Sequence, residues 1–227
     1  MELILGIDDA GRGPVMGPMV LAGCLIKKEI EKEFIKLGVR DSKELTQKRR
    51  EFLVGKIKQK AEIFWVTITY PNEIDGNMNN GTNLNMIEAI KAAEIINKIN
   101  KDATHHPNRL KIKVIVDCPS VSLVKWKDFL KTKINNLSNL DIICEHKADK
   151  NHISVSAASI IAKSVREEEV GILKKKYGEE IGSGYTSDPL TQKFLANNVE
   201  KYKDSGIFRK TWKTWKRAFE KIGQRTL

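Results

Sequence analysis

The chain has 227 residues, of which 41% are hydrophobic and 30% are charged. This composition can bury a core and so excludes a disordered protein. The 40 basic and 29 acidic residues give a net charge of +11, which suits a polyanionic partner such as nucleic acid, although it is also compatible with a merely lysine-rich surface. The longest charge-free stretch, residues 13–26, contains two prolines and is shorter than the ~20 apolar residues of a membrane-spanning helix. The N-terminus lacks the basic region of a secretory signal, so we expect a soluble, cytoplasmic monomer with no membrane partner.

The predicted elements alternate between strands and helices along most of the chain. Short runs rich in isoleucine, leucine and valine predict strands at 3–7, 20–26, 63–69, 112–116 and 140–144. Apolar residues at helical spacing predict helices at 46–60, 84–99, 121–134 and 154–177. Thr46 is the expected N-cap of the first helix, and the asparagine-rich segment 77–85 is expected to be a loop. This order indicates an α/β fold with a mixed sheet covered by helices.

Beyond Tyr185 the chain loses its strand character. Two helices are predicted, at 189–198 and 209–222, joined by a lysine-rich loop. We therefore place a boundary near Ser187 and expect a domain of residues 1–187 followed by a small helical extension of residues 188–227. In the last helix Trp212, Trp215 and Phe219 follow helical spacing, a pattern typical of core packing.

The three cysteines, Cys24, Cys118 and Cys144, lie in or beside apolar runs. None has the spacing of a zinc site, so we interpret them as reduced core residues. The four histidines are assigned no catalytic role.

Acidic residues follow three of the predicted strands. Asp8 and Asp9 end the first strand, Asp117 ends the strand 112–116, and Asp149 follows the strand 140–144 after a short turn. The carboxyl ends of strands in an α/β sheet form its reactive crevice, so these acids are expected to converge, although any one of them alone is more typical of an ordinary turn. Clustered carboxylates repel one another unless a hard cation such as Mg²⁺ or Mn²⁺ lies among them. Because neighbouring strand residues face opposite sides, Asp8 and Asp9 are expected to share a site only where the strand ends.

Gly11-Arg12-Gly13 follows Asp8 and Asp9 after one alanine, Ala10. Glycines on both sides of an arginine let the backbone approach a ligand closely. The backbone amides and the guanidinium could then bind a phosphate or a hydroxyl.

With these features the sequence resembles the type 2 ribonucleases H (ribonuclease HII), from Leu3 to about Trp215. The resemblance rests on several ordered motifs: 6–14 (GIDDAGRGP), 41–46 (DSKELT), 116–117 (VD), 146–149 (HKAD), 156–163 (SAASIIAK) and 182–185 (GSGY). The C-terminal helices are similar to those of archaeal members. The resemblance implies a ribonuclease H-like, five-stranded mixed sheet flanked by helices.

The same resemblance implies an endoribonuclease. Such an enzyme hydrolyses the RNA strand of RNA/DNA hybrids and nicks duplex DNA 5′ to embedded ribonucleotides, leaving 3′-hydroxyl and 5′-phosphate ends. Asp8, Asp9, Asp117 and Asp149 would be catalytic and would hold Mg²⁺ or Mn²⁺. Two such ions can activate a water and stabilise the leaving oxygen, so that no side-chain nucleophile is required.

The substrate-binding residues are likewise implied by the resemblance. The backbone of Gly11, Arg12 and Gly13 would read the 2′-hydroxyl, which distinguishes RNA from DNA. Tyr185 would pack on the deoxyribose that follows the ribonucleotide. Backbone phosphates would be contacted by four further residues: Ser42, Lys43, Lys147 and Lys163.

One position departs from the family pattern, because Asp9 stands where the motif normally has glutamate. Its carboxylate reaches about 1.5 Å less far, the length of one carbon–carbon bond. Mg²⁺ tolerates little distortion of its octahedron, so this departure predicts binding through a water molecule or a preference for Mn²⁺.

Two alternatives stay open. The first is a non-catalytic module that binds hybrids and whose acidic cluster is impaired by Asp9. The second is another nuclease on the same fold, such as a resolvase or an integrase. The Gly11-Arg12-Gly13 element and Tyr185 argue against the second, since those reactions need not recognise a 2′-hydroxyl.

Overall fold

The computed structural model describes residues 2–40, 45–103 and 111–223. The strands are β1 (Leu3–Ala10), β2 (Met19–Lys27), β3 (Ile63–Thr69), β4 (Ile112–Asp117) and β5 (Leu140–Glu145). The α-helices are α1 (Ile30–Leu37), α2 (Gln47–Lys60), α3 (Pro71–Asn79), α4 (Leu84–Ala103), α5 (Leu123–Lys131), α6 (Ala148–Asn151), α7 (Ile153–Tyr177), α8 (Pro189–Asn198) and α9 (Lys213–Gly223). A short 3-10 helix spans Glu179–Ile181.

The strands form one mixed sheet of five strands in the order β3-β2-β1-β4-β5. β1 lies antiparallel to β2 and parallel to β4, and β4 lies parallel to β5. All five predicted strands are confirmed, as is the predicted α/β fold with a mixed sheet. Because β1, β4 and β5 run in the same direction, their carboxyl ends lie at one edge of the sheet.

The sheet and α7 approach each other closely at Gly6 in the centre of β1. A Cβ atom placed on Gly6 would lie 2.1 Å from the backbone carbonyl carbon of Ser154, at the start of α7. Ala157 and Ala158, one turn further along, are fully buried. The small residues of both elements therefore permit a backbone-to-backbone approach that any larger residue at position 6 would prevent.

Three helices of the structure are absent from the sequence prediction: α1, α3 and α6. The prediction of a loop at 77–85 is wrong at both ends, because α3 extends to Asn79 and α4 begins at Leu84. Helix α3 starts with Pro71 at its first position, where proline is favourable, and it buries Ile74 and Asp75. The last helix was predicted to begin at Arg209 but begins at Lys213. The prediction is therefore wrong for residues 209–212.

The described chain divides into two compact units. The first comprises Met1–Ala10, Val20–Thr67 and Asn85–Ser164, and the second comprises Gly11–Met19, Ile68–Leu84 and Val165–Leu227. The expected boundary near Ser187 stays a prediction. Within the described ranges, no helix combines the length and apolarity that crossing a bilayer requires.

The second unit has a core of its own. It is formed by Val15, Met16, Ile181, Phe194, Leu195, Val199, Ile207 and Phe208. Trp212, Trp215 and Phe219 pack against this core, as their spacing predicts, although Trp212 precedes α9.

The cysteines carry free thiols, as predicted. Cys24 and Cys118 are buried, whereas Cys144 is half-buried. Burial raises the pKa of both Cys24 and Cys144 to about 12, so these thiols stay protonated at neutral pH.

Candidate active site

Three of the predicted acids lie at the carboxyl edge of the sheet. Ile7 of β1 pairs with Val116 of β4, and the next residues on the two parallel strands are Asp8 and Asp117. Asp8 is buried, whereas Asp9 and Asp117 are half-buried. The backbone N–H of Asp9 donates a hydrogen bond of 2.8 Å to Oδ1 of Asp8, which orients that carboxylate.

We expected the first strand to end at the two acids, but the structure shows that it continues beyond them. β1 continues to Ala10, and Asp8 and Asp9 pair with Ala22 and Leu21 of the antiparallel strand β2. The pairing of β1 with the parallel strand β4, however, ends at Ile7. Both acids thus lie on a stretch of β1 that is paired with β2 but has passed the end of its ladder with β4.

The three carboxylates influence one another. The pKa of Asp8 is raised well above the usual value of 3.8 because the side chain is buried and because the charges of Asp9 and Asp117 are close; a hydrogen bond from Ser159 opposes this shift. A cavity of about 10 Å³, space for roughly one water-sized sphere, is lined by Asp8, Asp9 and Asp117. The structure therefore brings these three predicted residues together.

The fourth predicted acid, Asp149, is held near this site through the backbone. Lys147 adopts a left-handed conformation with a φ of 57°, which turns the chain from β5 into α6. The N–H of Ala148 then donates to Oδ1 of Asp117 over 2.8 Å. Asp149 is buried in the first turn of α6, but it is not among the described residues that line the acidic cavity.

Sequence reasoning missed a further acid at this cavity, Glu88. It lies on α4, is only 2% exposed, and lines the same cavity as Asp8, Asp9 and Asp117. The signal available in the sequence was its position between Ile87 and Ala89 and one turn before Ala92, since an acid on a small, apolar helix face is unusual.

The donor set fits a hard divalent cation in its chemistry. Carboxylate oxygens are the ligands that Mg²⁺ and Mn²⁺ prefer, and an ion would offset the repulsion that raises the pKa of Asp8. In the described part of the chain, no three His, Cys, Asp or Glu side chains have the spacing of a formed metal site.

The second unit contains the Gly11-Arg12-Gly13 element and Tyr185. The N–H groups of Val15 and Met16 donate to the carbonyl oxygen of Gly184 over 2.9 and 3.4 Å. A Cβ atom placed on Gly13 would lie 3.9 Å from Cε1 of Tyr185, which is 40% exposed. The structure therefore places Tyr185 beside the exposed backbone of Gly13.

Sequence reasoning also missed Arg166. This residue lies beside Gly11 and also contacts the turn that contains Ser183 and Tyr185. Its guanidinium lies 4.9 Å from the centre of the Tyr185 ring and donates to the carbonyl oxygen of Ser183 over 2.9 Å. A Cβ atom on Gly11 would lie 2.2 Å from Nε of Arg166, and Gly11 has a φ of 78°. Only glycine satisfies both conditions at position 11.

The turn before Tyr185 is also fixed by the start of α8. Oδ2 of Asp188 accepts hydrogen bonds of 2.7 Å from both the N–H and the hydroxyl of Ser183. Oδ1 of the same carboxylate accepts from the N–H of Leu190 and so caps the helix. These hydrogen bonds, led by the hydroxyl of Ser183, lower the pKa of Asp188.

The structure describes two of the four predicted phosphate-binding residues, Lys147 and Lys163. Ser42 and Lys43 lie outside the described residues. Lys147 is exposed at the turn before α6, and Lys163 is half-buried on α7. Neither lysine is placed at the acidic cavity.

Comparisons with known proteins agree with these observations. The sequence model of the family described as Ribonuclease HII matches residues 5–215. The Ribonuclease HII of Methanocaldococcus jannaschii is 43% identical over 99% of this chain and 98% of that protein. The crystal structure of ribonuclease H2 from Pyrococcus horikoshii OT3 has a TM-score of 0.83 and 36% identity, and covers 98% of this chain and 99% of that one. The RNase HII of Archaeoglobus fulgidus, solved as a complex with PCNA, has a TM-score of 0.78 and 36% identity, over 93% and 95% of the two chains. The resemblance to archaeal relatives and the ribonuclease H-like fold are thereby confirmed.

Proposed function

Because the chain belongs to the ribonuclease HII family, and is therefore a ribonuclease H enzyme, we propose a specific reaction for it. It hydrolyses the RNA strand of RNA/DNA hybrids and nicks duplex DNA on the 5′ side of an embedded ribonucleotide. The products carry 3′-hydroxyl and 5′-phosphate ends. The observation that carries this proposal is the convergence of Asp8, Asp9 and Asp117 on one small cavity, where burial and mutual repulsion raise the pKa of Asp8.

The four predicted acids, Asp8, Asp9, Asp117 and Asp149, would hold the divalent ions. When bound, two such ions supply activation of a water and stabilisation of the leaving 3′ oxygen. The chain itself orients the acids. The N–H of Asp9 donates to Oδ1 of Asp8, and the N–H of Ala148 donates to Oδ1 of Asp117, so that both carboxylates are held by backbone groups.

Glu88 would act from behind these acids. Its burial at the cavity places a fifth carboxylate at the site, so it adds to the negative potential that attracts a cation. Its role is to strengthen ion binding rather than to contact the substrate.

Recognition of the substrate would use the second unit. The backbone of Gly11, Arg12 and Gly13 would read the 2′-hydroxyl of the ribonucleotide. The ring of Tyr185, which lies beside the exposed Gly13, would pack on the deoxyribose that follows. Arg166 holds the turn that contains Tyr185 in shape through its contacts with Ser183 and Tyr185. Phosphates of the duplex would be bound by Ser42, Lys43, Lys147 and Lys163, and the net charge of +11 is in keeping with such contacts.

The reaction can be tested with an end-labelled DNA duplex that contains one ribonucleotide. The duplex is incubated with Mg²⁺, with Mn²⁺ or with chelator, and the product ends are identified. We expect a single cut 5′ to the ribonucleotide with either ion and none with chelator. An all-DNA duplex of the same sequence is the matched control.

The alternatives give different results in this assay. A non-catalytic module would bind the duplex without cutting it under any condition. A nuclease of the resolvase or integrase kind would cut without requiring the ribonucleotide. Either result would refute the proposed activity.

A further inference from the structure

We infer that Arg209 is a positioning residue for substrate selection: it fixes the backbone of residues 11–17, here called the glycine turn, so that the turn can distinguish a ribonucleotide from a deoxyribonucleotide. This inference rests on the proposed reading of the 2′-hydroxyl by Gly11, Arg12 and Gly13. It concerns a residue that the sequence analysis placed in an ordinary helix.

The guanidinium of Arg209 binds both ends of the glycine turn. Nη2 donates to the carbonyl oxygens of Gly11 and Gly17 over 2.6 and 3.0 Å, and Nη1 donates to that of Arg12 over 2.7 Å. Nε donates to the carbonyl oxygen of Gly17 over 3.1 Å. One rigid, planar group thus sets the distance between the two ends of the turn.

These bonds also determine where the amides of the turn point. In a trans peptide the N–H points opposite to the C=O of the same peptide unit. Because the carbonyls of Gly11 and Arg12 both face Arg209, the N–H groups of Arg12 and Gly13 are directed away from it. Successive N–H groups on one side of a turn form a concave donor surface, to which a hydroxyl oxygen can bind.

A second residue from the same segment continues this arrangement. The indole Nε1 of Trp212 donates to the carbonyl oxygen of Gly13 over 3.1 Å, and the guanidinium of Arg209 lies 4.9 Å from the centre of the Trp212 ring. Three successive carbonyl groups, those of residues 11–13, are therefore bound by residues 209 and 212.

The segment 209–212 is itself anchored, which explains why it does not continue α9. The Asp75 carboxylate accepts hydrogen bonds from the N–H groups of Lys210 and Thr211 over 2.6 and 3.0 Å, and from the Thr211 hydroxyl over 2.5 Å. The N–H of Arg209 donates to the carbonyl oxygen of Val15 over 2.9 Å. Asp75 thus holds the segment in the conformation that aims Arg209 at the glycine turn.

The side chain of Arg209 is buried, so its guanidinium depends on the hydrogen bonds to the carbonyl groups of the glycine turn. The side chain is 0% exposed, and a buried cation is tolerated only when its donors are satisfied. A lysine would keep the charge but not the planar fork, so it could not bind the carbonyls at both ends of the turn at once. The substitution Arg209→Lys therefore tests geometry separately from charge.

The test measures binding in chelator, where no cleavage occurs, at one fixed salt concentration. The dissociation constants are determined for a duplex with one ribonucleotide and for the all-DNA duplex of the same sequence, and their ratio is the discrimination. We expect the wild-type protein to favour the ribonucleotide. We expect Arg209→Lys to lose about tenfold of this discrimination, on the order of one hydrogen bond to the 2′-hydroxyl, while its affinity for all-DNA duplex changes less than about twofold.

Two further variants keep the test decisive. Trp212→Phe keeps an aromatic ring at this position but removes the indole N–H that donates to Gly13, and we expect it to lose part of the discrimination even if Arg209→Lys fails to fold. Arg49→Lys makes the same substitution at an exposed position and is expected to leave the discrimination unchanged.

The outcomes separate this inference from the proposed function. If the wild-type protein binds both duplexes equally, the proposed reading of the 2′-hydroxyl is wrong. If the wild-type protein discriminates and the folded variants discriminate equally well, Arg209 does not position the turn. A uniform loss of affinity for both duplexes would mean a merely structural role and would likewise overturn the inference.

Discussion

The backbone N–H of Ala148 donates to Oδ1 of Asp117 across 2.8 Å, and this bond ties the start of α6 to the end of β4. Lys147 makes the bond possible by adopting its left-handed conformation, which costs a non-glycine residue about 1–2 kcal/mol. The strained turn therefore contributes to the acidic cavity by fixing one oxygen of Asp117.

Asp117→Asn should abolish nearly all cleavage while the fold is retained. Asparagine keeps an oxygen that can accept from Ala148, but a neutral amide is a poor ligand for a hard cation. The checks are single-turnover cleavage and thermal unfolding, with Asp141→Asn, at an exposed acid of β5, as the control. A variant that keeps a tenth or more of the wild-type rate would contradict the assignment.

Asp8→Asn should stabilise the protein in chelator and remove its response to Mg²⁺. The pKa of Asp8 is raised by burial and by Asp9 and Asp117, so the folded state loses stability as pH rises from the unfolded value of 3.8 through the folded pKa. Asparagine removes this cost. Thermal unfolding in chelator at pH 5 and pH 8 should show a smaller loss of stability for the variant over this range, and Mg²⁺ should raise the Tm of the wild-type protein only.

Two results would contradict the prediction for Asp8→Asn. If the wild-type Tm does not respond to Mg²⁺ or Mn²⁺, the buried acids are not a cation site. If Asp8→Asn lowers the Tm in chelator, the hydrogen bonds of Asp8 contribute more than the repulsion costs.

Glu88→Gln should weaken metal binding without abolishing activity. Losing one negative charge behind the ligands should raise the Mg²⁺ concentration for half-maximal activity by about tenfold, the scale seen when groups behind metal ligands are changed. The rate at saturating Mg²⁺ should fall much less. Glu94→Gln, an exposed position on the same helix, should leave the Mg²⁺ dependence unchanged, and an equal effect of both variants would remove Glu88 from the site.

Asp9→Glu should raise activity more in Mg²⁺ than in Mn²⁺. The longer side chain can place its carboxylate directly on an ion, and Mg²⁺ is the less tolerant of a displaced ligand. Rates of both proteins are compared in each metal. An Asp9→Glu protein that is no faster than the parent in Mg²⁺ would show that the shorter acid costs nothing here.

Duplex binding should fall steeply with salt concentration. Lysine and arginine side chains that neutralise Z phosphates release counterions, which gives a slope of about −0.9Z in a plot of log affinity against log salt. Binding titrations in chelator at several salt concentrations provide the measurement. A flat plot would mean that the net charge of +11 is unrelated to the substrate.

The sheet and its acids could be predicted because their signals are local. Strand β3 has the predicted bounds, and Thr46 caps α2 as predicted, with its hydroxyl accepting from the N–H of Arg49. Runs of branched apolar residues and single capping residues carry this information within a few positions. The convergence of Asp8 and Asp117 followed from parallel strands ending at one edge.

The prediction was wrong where contacts distant in sequence decide the conformation. The spacing of Trp212, Trp215 and Phe219 predicted a helix from Arg209, but Asp75 binds the backbone of Lys210 and Thr211 and delays the helix to Lys213. No pattern within residues 209–222 indicates that Asp75 on α3 binds this backbone. Glu88 was missed for a related reason, because its importance comes from the strands beside it.

The bond between Arg209 and Gly11 joins positions 198 residues apart in sequence. During synthesis the ribosome makes the glycine turn long before it makes Arg209, whose guanidinium binds that turn. Closing so long a loop is entropically costly and slow, and contacts of this separation form late in folding. A nascent chain therefore carries the glycine turn through the synthesis of every residue up to Arg209 before the guanidinium that binds its carbonyl groups is present.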